Sequence, residues 1–225
     1  MQMKTIRSIL KNAGSRGWVP EPDAKKLLAA ARIPVPRFGV FQDKDDALDF
    51  AGKLGFPVVA KIVSPAVIHK SDVGGVRPGI RDRAELSVAF DQLGRHEPLD
   101  GILVEEMIEG VELIVGGQID LQFGPVVLLG MGGVAVEIYK DTAIMMAPLR
   151  RQDVYTMLGD IKGASLLTGF RGRAGVDVEA LVDLVFAFSG LLSKISGDVS
   201  SVDLNPVICS PRGCVVADAR LILSS

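Results

Sequence analysis

The sequence feature that most constrains the fold is a change of pattern near residue 110. Before that point, strand-length apolar runs alternate with helix-length amphipathic stretches. The apolar runs cover residues 38–41, 57–63 and 101–107, and the amphipathic stretches cover residues 43–54 and 82–93. This alternation is typical of an α/β lobe, because a helix buries its apolar stripe against a sheet.

From residue 111 onward, strand patterns dominate. Strands are predicted at residues 111–119, 125–129, 134–138, 143–146, 200–208 and 214–220, and helices at residues 151–158 and 178–195. A further helix is predicted before the first strand, at residues 22–32. The predicted fold class is therefore α/β (α+β), with an N-terminal extension over residues 1–21, a first lobe over 22–110 and a second lobe over 111–225. A cleft between two lobes is a common place for a ligand.

Charge and hydropathy exclude several classes of partner. The chain has 225 residues and a formal net charge of -2, and it contains no basic stripe of the kind that nucleic acids need. The most apolar stretch, residues 113–136, is interrupted by Asp120 and Pro125, which is poor material for a spanning helix. Neither a nucleic acid nor a membrane is expected as a partner.

The two cysteines, Cys209 and Cys214, are too few for a zinc site. So few thiols fit a reducing cytoplasm better than a secreted disulfide scaffold. We expect both to be small buried side chains in a cytoplasmic protein.

Lys61 is the charged residue within an apolar strand pattern at residues 58–62. Alternation along the strand would present its ammonium as a fixed positive charge, which suits a phosphate group. The alternative is an ordinary lysine on the solvent face or the edge of a sheet.

Residues 68–76 read Ile-His-Lys-Ser-Asp-Val-Gly-Gly-Val. Gly74 and Gly75 allow backbone N–H groups to converge on an anion, and the imidazole of His69 can accept a phosphoryl group. The other histidine, His96, lies in a polar helix-end context. The alternative is a Gly-Gly turn beside an incidental surface histidine.

The strand predicted at residues 101–107 ends in Glu105, Glu106 and Met107, and Glu112 follows Gly110. At such a junction the backbone can bind a nucleotide base while a carboxylate binds ribose hydroxyls. Two ordinary solvated glutamates and a methionine in the core would give the same pattern.

Asp203 and Asn205 share one side of a strand, because side chains alternate along it. Asp218 returns on the next predicted strand. Carboxylate and amide oxygens of this kind suit Mg²⁺ bound together with nucleotide phosphates. The alternative is an Asx turn before Pro206 and a capped hairpin.

A second glycine-rich segment covers residues 130–133 and is followed by Glu137, Lys140 and Asp141. It lacks the third glycine of a dinucleotide fingerprint, and the chain contains no G-x-x-x-x-G-K-[ST] loop. A packed bend between strands is the alternative to a ligand site.

Taken together and in order, these segments resemble the ATP-grasp (beta) subunit of ADP-forming acetate-CoA ligases, which are relatives of succinyl-CoA synthetase. The resemblance spans about residues 22–223. The segments that carry it are residues 33–36, 57–62, 68–76, 104–112, 130–141, 166–172 and 203–218.

The resemblance implies an ATP-grasp fold of two lobes with a nucleotide cleft between them. It implies that His69 is a phosphorylated intermediate and that Lys61 contacts nucleotide phosphate. The remaining implied assignments are a hinge at Glu105, Glu106 and Met107, a ribose carboxylate at Glu112, and Mg²⁺ ligands at Asn205 and Asp218 supported by Asp203. Arg171 lies in a loop that also resembles the family, without an assigned role.

The activity implied is that of an ADP-forming acyl-CoA synthetase, in which His69 passes a phosphoryl group between ADP/ATP and a histidine of a partner. The resemblance also implies a separate CoA-binding alpha subunit in a hetero-oligomer. Two alternatives stay open. A stand-alone ATP-grasp carboxylate–amine ligase would leave His69 unphosphorylated, and a nucleotide-sensing module would bind ATP without turnover.

Overall fold

The computed structural model describes residues 2–67, 69–133, 141–169 and 174–224. The described helices are α1 (Gln2–Ala13), α2 (Glu21–Ala30), α3 (Lys44–Leu54), α4 (Arg83–Leu93), α5 (Arg151–Asp160) and α6 (Val178–Ile195). The described strands are β1 (Trp18–Val19), β2 (Phe38–Phe41), β3 (Val58–Val63), β4 (Val76–Ile80), β5 (Gly101–Glu106), β6 (Val111–Asp120), β7 (Gly124–Met131), β8 (Thr142–Met146), β9 (Val199–Ser210), β10 (Gly213–Val216) and β11 (Ala219–Leu223).

The chain packs as two compact units. One comprises Pro36–Ile108, and the other comprises Met1–Val35 together with Glu109–Ser225. The change of sequence pattern near residue 110 thus coincides with a real boundary. The assignment of residues 22–35 to the first lobe differs from the packing, because these residues belong to the unit that contains Glu109–Ser225.

The unit Pro36–Ile108 is an antiparallel sheet in the order β2-β5-β3-β4, with α3 and α4 on one face. The aspartate that begins each predicted amphipathic stretch, Asp43 or Asp82, caps the helix. The Asp43 carboxylate accepts the N–H groups of Asp45 and Asp46 at 2.8 and 3.1 Å, and the Asp82 carboxylate accepts that of Glu85 at 2.8 Å. Such caps satisfy amides that have no partner within the helix.

The core of this unit forms where alternate residues of the central strands meet the two helices. Ala60, Ile62 and Val104 are fully or almost fully buried there with Ala51 and Leu86. Because side chains alternate along a strand, Lys61 and Glu105 lie on the opposite face of the sheet. The sheet thus separates its apolar core from two charged residues.

Strand β4 was not predicted from the sequence. It contains Pro78 and Gly79, two residues that weaken a strand pattern. In the structure β4 pairs only with β3 among the described strands and forms one edge of the sheet. An edge position tolerates proline, since one side of the strand donates no ladder hydrogen bond.

The other unit is built on a sheet in the order β1-β11-β9-β6-β7-β8, with β10 paired to β9. Helix α6 packs on β6, β7, β9 and β10, and α5 packs on α6 and β8. The contact is close at Gly117, where an added Cβ would lie 2.8 Å from Leu192 Cδ2. Val115, Val127 and Leu204 are fully buried on the helix-covered face.

The N-terminal segment is an integral part of this second sheet. Strand β1 pairs with β11, with Trp18 opposite Ile222 and Val19 opposite Leu221. Helices α1 and α2 bury Ile6, Leu27 and Leu28 in the same core as α6. The sequence predicted an N-terminal extension over residues 1–21 and placed residues 22–35 in the first lobe. The burial of these apolar side chains explains why residues 1–35 pack with this unit instead.

The strand predicted at residues 214–220 is interrupted at Ala217 and Asp218. The N–H group of Ala217 donates to Pro206 O at 2.9 Å, and this bond is not part of a regular ladder between paired strands. The N–H group of Ala219 donates to Asp218 Oδ1 at 2.8 Å. Two strands, β10 and β11, therefore replace the predicted single strand.

Cys209 and Cys214 are buried, as predicted, but they form a disulfide rather than two free thiols. They are directly opposite each other on β9 and β10, and their Cα atoms are 4.1 Å apart. Strand pairing brings these side chains together, which their sequence separation did not reveal. Within the described residues, no helix has the length and apolar character that crossing a bilayer requires.

Candidate functional site

Lys61 lies on the central strand β3 and is bound to Glu105 on β5. The Lys61 Nζ to Glu105 Oε1 distance is 2.9 Å, and the side chains are 7% and 2% exposed. This burial contradicts the alternative of a solvent-facing or edge lysine. Removing one member of such a pair leaves the other charge buried, which is strongly unfavourable, so the two residues act as a unit.

Glu106 is bound by Arg37, a residue that the sequence analysis did not single out. Arg37 Nε donates to Glu106 Oε2 at 3.1 Å, and Nη2 donates to Oε1 at 3.2 Å. The hydrogen bonds and the charge of Glu106 raise the pKa of the Arg37 guanidinium above its ordinary value. Neither Glu105 nor Glu106 is simply solvated, since each has a basic partner. Met107 is half-buried just beyond the end of β5.

His69 is exposed in the loop that joins β3 to β4. The following residues form a 3₁₀ turn at Ser71–Val73, and Gly74 takes a left-handed conformation with φ 66°. The Gly74 N–H group donates to Ser71 O at 3.1 Å, and the Gly75 N–H group donates to Lys70 O at 2.7 Å. In this conformation both amides bond within the loop, and the anion cradle stays a prediction.

Glu112 is exposed on β6 and lies beside the second glycine-rich segment. The N–H group of Gly132 donates to Glu112 O at 2.7 Å, and a Cβ at Gly132 would lie 2.7 Å from the Glu112 carbonyl carbon. Glycine is required at this close approach, as the packed-bend alternative predicted. The predicted strand at residues 134–138, Glu137 and Lys140 lie outside the described residues.

Asp141 anchors a second loop by accepting two backbone N–H groups. Its Oδ1 accepts that of Lys162 at 2.8 Å, and its Oδ2 accepts that of Gly163 at 2.7 Å. These bonds hold the start of the 3₁₀ helix Lys162–Leu166. Asp141 is thus structural in this conformation, and Arg171 lies outside the described residues.

Of the predicted metal ligands, Asn205 lies on β9 and Asp218 lies in the interruption between β10 and β11. The Asn205 N–H group donates to Asp218 O at 3.1 Å, which brings the two residues side by side. Asp203 is opposite Arg220, with 3.5 Å between Asp203 Oδ2 and Arg220 Nη2. The Asx-turn alternative is not the arrangement seen, since Asn205 is part of the continuous strand β9.

The donor set at this position fits a magnesium ion that also takes ligands from a nucleotide. Asn205 is exposed and Asp218 is half-buried, so both reach the surface. Among the described residues, no group of three or more His, Cys, Asp or Glu side chains is arranged to hold a metal ion. One carboxylate and one amide oxygen suffice only when substrate phosphates and water complete the shell.

The predicted site residues are drawn from both units. Pro36–Ile108 contains Lys61, His69, Gly74, Gly75, Glu105, Glu106 and Met107, whereas the other unit contains Glu112, Asp203, Asn205 and Asp218. Three arginines that contact these groups were not predicted from the sequence: Arg37 at Glu106, Arg77 at Gly74 and Arg220 at Asp203. No sequence pattern around these arginines indicates which residue each of them contacts.

Comparison with known proteins identifies the family of the chain. A model of the ATP-grasp domain matches residues 10–223. The acetate–CoA ligase [ADP-forming] I subunit beta of Pyrococcus furiosus is 39% identical over 211 residues, which cover 90% of each chain. In Archaeoglobus fulgidus, the acetate–CoA ligase [ADP-forming] I is 38% identical over 98% of this chain but only 33% of that longer protein.

The fold is also that of a solved relative. The acetyl-coenzyme A synthetase 1 of Ca. Korarchaeum cryptofilum, in complex with coenzyme A, Ca-AMPCP and HgCl⁺, superposes with a TM-score of 0.91 at 41% identity. The match covers 97% of this chain and 99% of that chain. This protein therefore has the ATP-grasp fold and belongs to the family of beta subunits of ADP-forming acetate–CoA ligases.

Proposed function

We propose that this chain is the nucleotide-binding, phosphohistidine-forming subunit of an ADP-forming acyl-CoA synthetase. The observation that carries the proposal is the exposed His69 in the loop that follows strand β3, which holds the buried Lys61. The complete reaction is acyl-CoA, ADP and phosphate giving a carboxylic acid, ATP and CoA. Relatives named for acetate make a small carboxylic acid the substrate class we expect.

The step assigned to this chain is phosphoryl transfer to and from His69. A ring nitrogen of His69 forms a bond to the γ-phosphorus of ATP, and the bond to the bridging oxygen breaks as ADP leaves with the electron pair. In the other direction, a terminal oxygen of ADP attacks the phosphorus of phosphohistidine and releases the imidazole. A histidine suits both directions because its nitrogen is a good nucleophile and a good leaving group near neutral pH.

Lys61 and Glu105 supply a fixed charge to this transfer. We assign Lys61 to the nucleotide phosphates, where its ammonium offsets negative charge as the phosphoryl group moves. Glu105 holds that ammonium in place at 2.9 Å. We assign the neighbouring Glu106 and Met107 to the nucleotide base through their backbone, and Glu112 to the ribose.

Gly74 and Gly75 support the histidine loop in this proposal. Their participation in nucleotide binding would require their amides to exchange the present bonds to Ser71 and Lys70 for bonds to phosphate. We assign Asn205 and Asp218 to Mg²⁺, with Asp203 as a supporting carboxylate. When bound, the ion would neutralise phosphate charge and orient the nucleotide.

The orientation of His69 in the relay is proposed from the Korarchaeum enzyme. One of its structures has a phosphorylated phosphohistidine segment in the site I orientation, and another has that segment pointing towards the nucleotide-binding site. We propose that the loop of His69 takes two such orientations, one at the nucleotide and one at a partner.

The partner we propose is a separate CoA-binding alpha subunit in a hetero-oligomer. Relatives named subunit beta support a second chain, whereas the longer Archaeoglobus protein supports the same parts in one polypeptide. We propose the cytoplasm as the compartment, since the substrates are nucleotides and CoA.

The experiment that tests the function is intact-mass spectrometry of the chain after incubation with Mg-ATP at neutral to alkaline pH. We expect an acid-labile phosphoryl adduct that maps to His69 and is absent from the His69→Asn variant. ATP binding without an adduct, even with the partner subunit present, would favour a nucleotide-sensing module. Turnover with an amine acceptor in the His69→Asn variant would favour a carboxylate–amine ligase.

A further inference from the structure

The side chain of Arg77 on β4 reaches back to the end of the histidine loop. Its Nη1 donates to Gly74 O at 2.8 Å and to Val76 O at 3.2 Å. Gly74 is the residue that ends the 3₁₀ turn Ser71–Val73. The half-buried guanidinium thus satisfies a carbonyl group at the end of the turn that begins two residues after His69.

Backbone hydrogen bonds connect the same turn to the strand that holds Lys61. The N–H group of Gly75 donates to Lys70 O at 2.7 Å, and the N–H group of Ile62 donates to Gly75 O at 2.9 Å. Lys70, next to His69, is therefore tied through Gly75 to Ile62, next to Lys61. A displacement of Gly74 or Gly75 would move His69 relative to the strand that carries Lys61.

The backbone at Gly75 passes close to neighbouring residues and leaves no space for a side chain. An added Cβ would lie 2.6 Å from Ile62 Cδ1 and 3.0 Å from Lys70 O. Gly74, with φ 66°, has a conformation that L-residues adopt rarely. Two adjacent glycines give the turn its shape but also make it easy to distort. The hydrogen bonds from Arg77 limit that freedom.

We propose that Arg77 is a positioning residue for phosphoryl transfer. By donating to Gly74 O it holds the C-terminal end of the loop that carries His69, so that His69 changes orientation relative to a fixed backbone position. This inference rests on the proposed function of His69. Arg77 acts through Gly74 and not on the nucleotide, so its removal should slow transfer without weakening nucleotide binding. Small misplacements of a reacting group cost up to about 100-fold in rate.

The test measures two quantities in the full chain, the rate of phosphohistidine formation from Mg-ATP and the Kd for a non-hydrolysable ATP analogue. In Arg77→Ala we expect a rate about 10- to 100-fold below wild type and a Kd within about twofold of it. Guanidinium chloride below denaturing concentrations should restore part of the rate, because the free ion can donate to the Gly74 carbonyl group. Arg77→Lys, which keeps one donor, should give an intermediate rate.

Arg81→Ala is the matched control. Arg81 follows β4, is exposed, and donates through Nε to Glu85 Oε1 at 2.9 Å, away from the loop. Its loss removes the same charge, and we expect an unchanged rate. An Arg77→Ala rate equal to wild type would overturn the proposal, and so would equal losses in both variants.

Two further outcomes also decide the question. If Arg77→Ala does not fold, the folded Arg77→Lys variant decides it: a reduced rate at constant Kd supports positioning, whereas a wild-type rate overturns it. If the wild-type chain itself gains no phosphoryl group, the function proposed for His69 fails and the role of Arg77 fails with it. A phosphorylated wild type with an unaffected Arg77→Ala variant refutes the positioning role alone.

Discussion

Each of the two units contains a buried lysine–glutamate pair, and the pairs are alike in geometry. Lys61 Nζ lies 2.9 Å from Glu105 Oε1, with side chains 7% and 2% exposed. Lys25 Nζ lies 2.9 Å from Glu21 Oε1, with side chains 0% and 2% exposed. Distance and burial are therefore nearly the same in the two pairs.

The surroundings of the two pairs differ. Lys25 and Glu21 are one turn apart on helix α2, which also buries Ala24, Leu27 and Leu28. Such a pair is local and forms with the helix. Lys61 and Glu105 instead join two strands, and one of those strands leads into the loop of His69. We infer that the pair in α2 serves stability and that the pair on the strands serves phosphoryl transfer.

The largest expected effect is on stability, in the pair that we call structural. Lys25→Met leaves the Glu21 carboxylate buried without its ammonium, so the free energy of unfolding should fall by about 3–5 kcal/mol. Urea titration at fixed pH measures this. The Lys25→Met/Glu21→Gln double variant is the control and should lose much less. A loss below about 1 kcal/mol in the single variant would contradict a shared role in stability.

The next effect separates the two pairs by activity. Lys61→Met in a Glu105→Gln background removes both charges, and phosphohistidine formation should slow by about 10²- to 10³-fold because a preorganised positive charge is lost. Rapid quenching with Mg-ATP measures that rate. The equivalent Lys25→Met/Glu21→Gln variant should retain the wild-type rate. Equal rates in the two double variants would remove the distinction.

A smaller effect should show how Glu105 contributes. Glu105→Gln keeps the size of the side chain but removes the charge that holds Lys61, which also lowers the free energy of unfolding because the ammonium stays buried. We expect the transfer rate to fall about tenfold while the Kd for ATP stays equal or decreases, because a nearby negative charge no longer opposes the phosphates. Parallel rate and binding measurements check this. A weaker Kd at an unchanged rate would show that Glu105 binds the nucleotide directly.

The smallest effect tests whether burial is the decisive property. Lys26 lies beside Lys25 on α2 and is 3.0 Å from Asp23 Oδ1, with side chains 61% and 46% exposed. Solvent screens this pair, so Lys26→Ala should change the free energy of unfolding by less than about 1 kcal/mol. A loss as large as that of Lys25→Met would mean that α2 depends on charge rather than on burial.

Much of the secondary structure was predictable because its causes are local. Strand β2 and helix α6 have the predicted bounds, and α3 and α4 follow Asp43 and Asp82, the residues at which the predicted amphipathic stretches begin. Errors occurred where local signals conflict. Pro78 and Gly79 concealed β4, and no short-range pattern separates β10 from β11, whose break depends on hydrogen bonds of Ala217 and Asp218.

The candidate site was predictable as a set of residue types, less so as a set of contacts. The His69 segment, Lys61 and the Asn205–Asp218 pair carry their chemistry in their side chains. Their partners were not visible, since Arg37 binds Glu106 across a separation of 69 residues and Cys209 meets Cys214 only through strand register. The hydrogen bonds of Gly74 and Gly75 within the loop were not visible either, since they depend on how the chain turns.

The sequence by itself determined most of the helices and strands, the change of pattern near residue 110 and the family, and it indicated which residues have the chemistry to carry a phosphoryl group or bind Mg²⁺. Periodicity, capping and side-chain chemistry are properties of neighbouring residues, so they can be read along the chain. The tertiary structure alone decided that residues 1–35 pack with Glu109–Ser225, that Glu105 holds Lys61, and that Arg77 holds the turn after His69. These outcomes depend on which apolar faces are buried together and on which distant charges and carbonyl groups meet as a result.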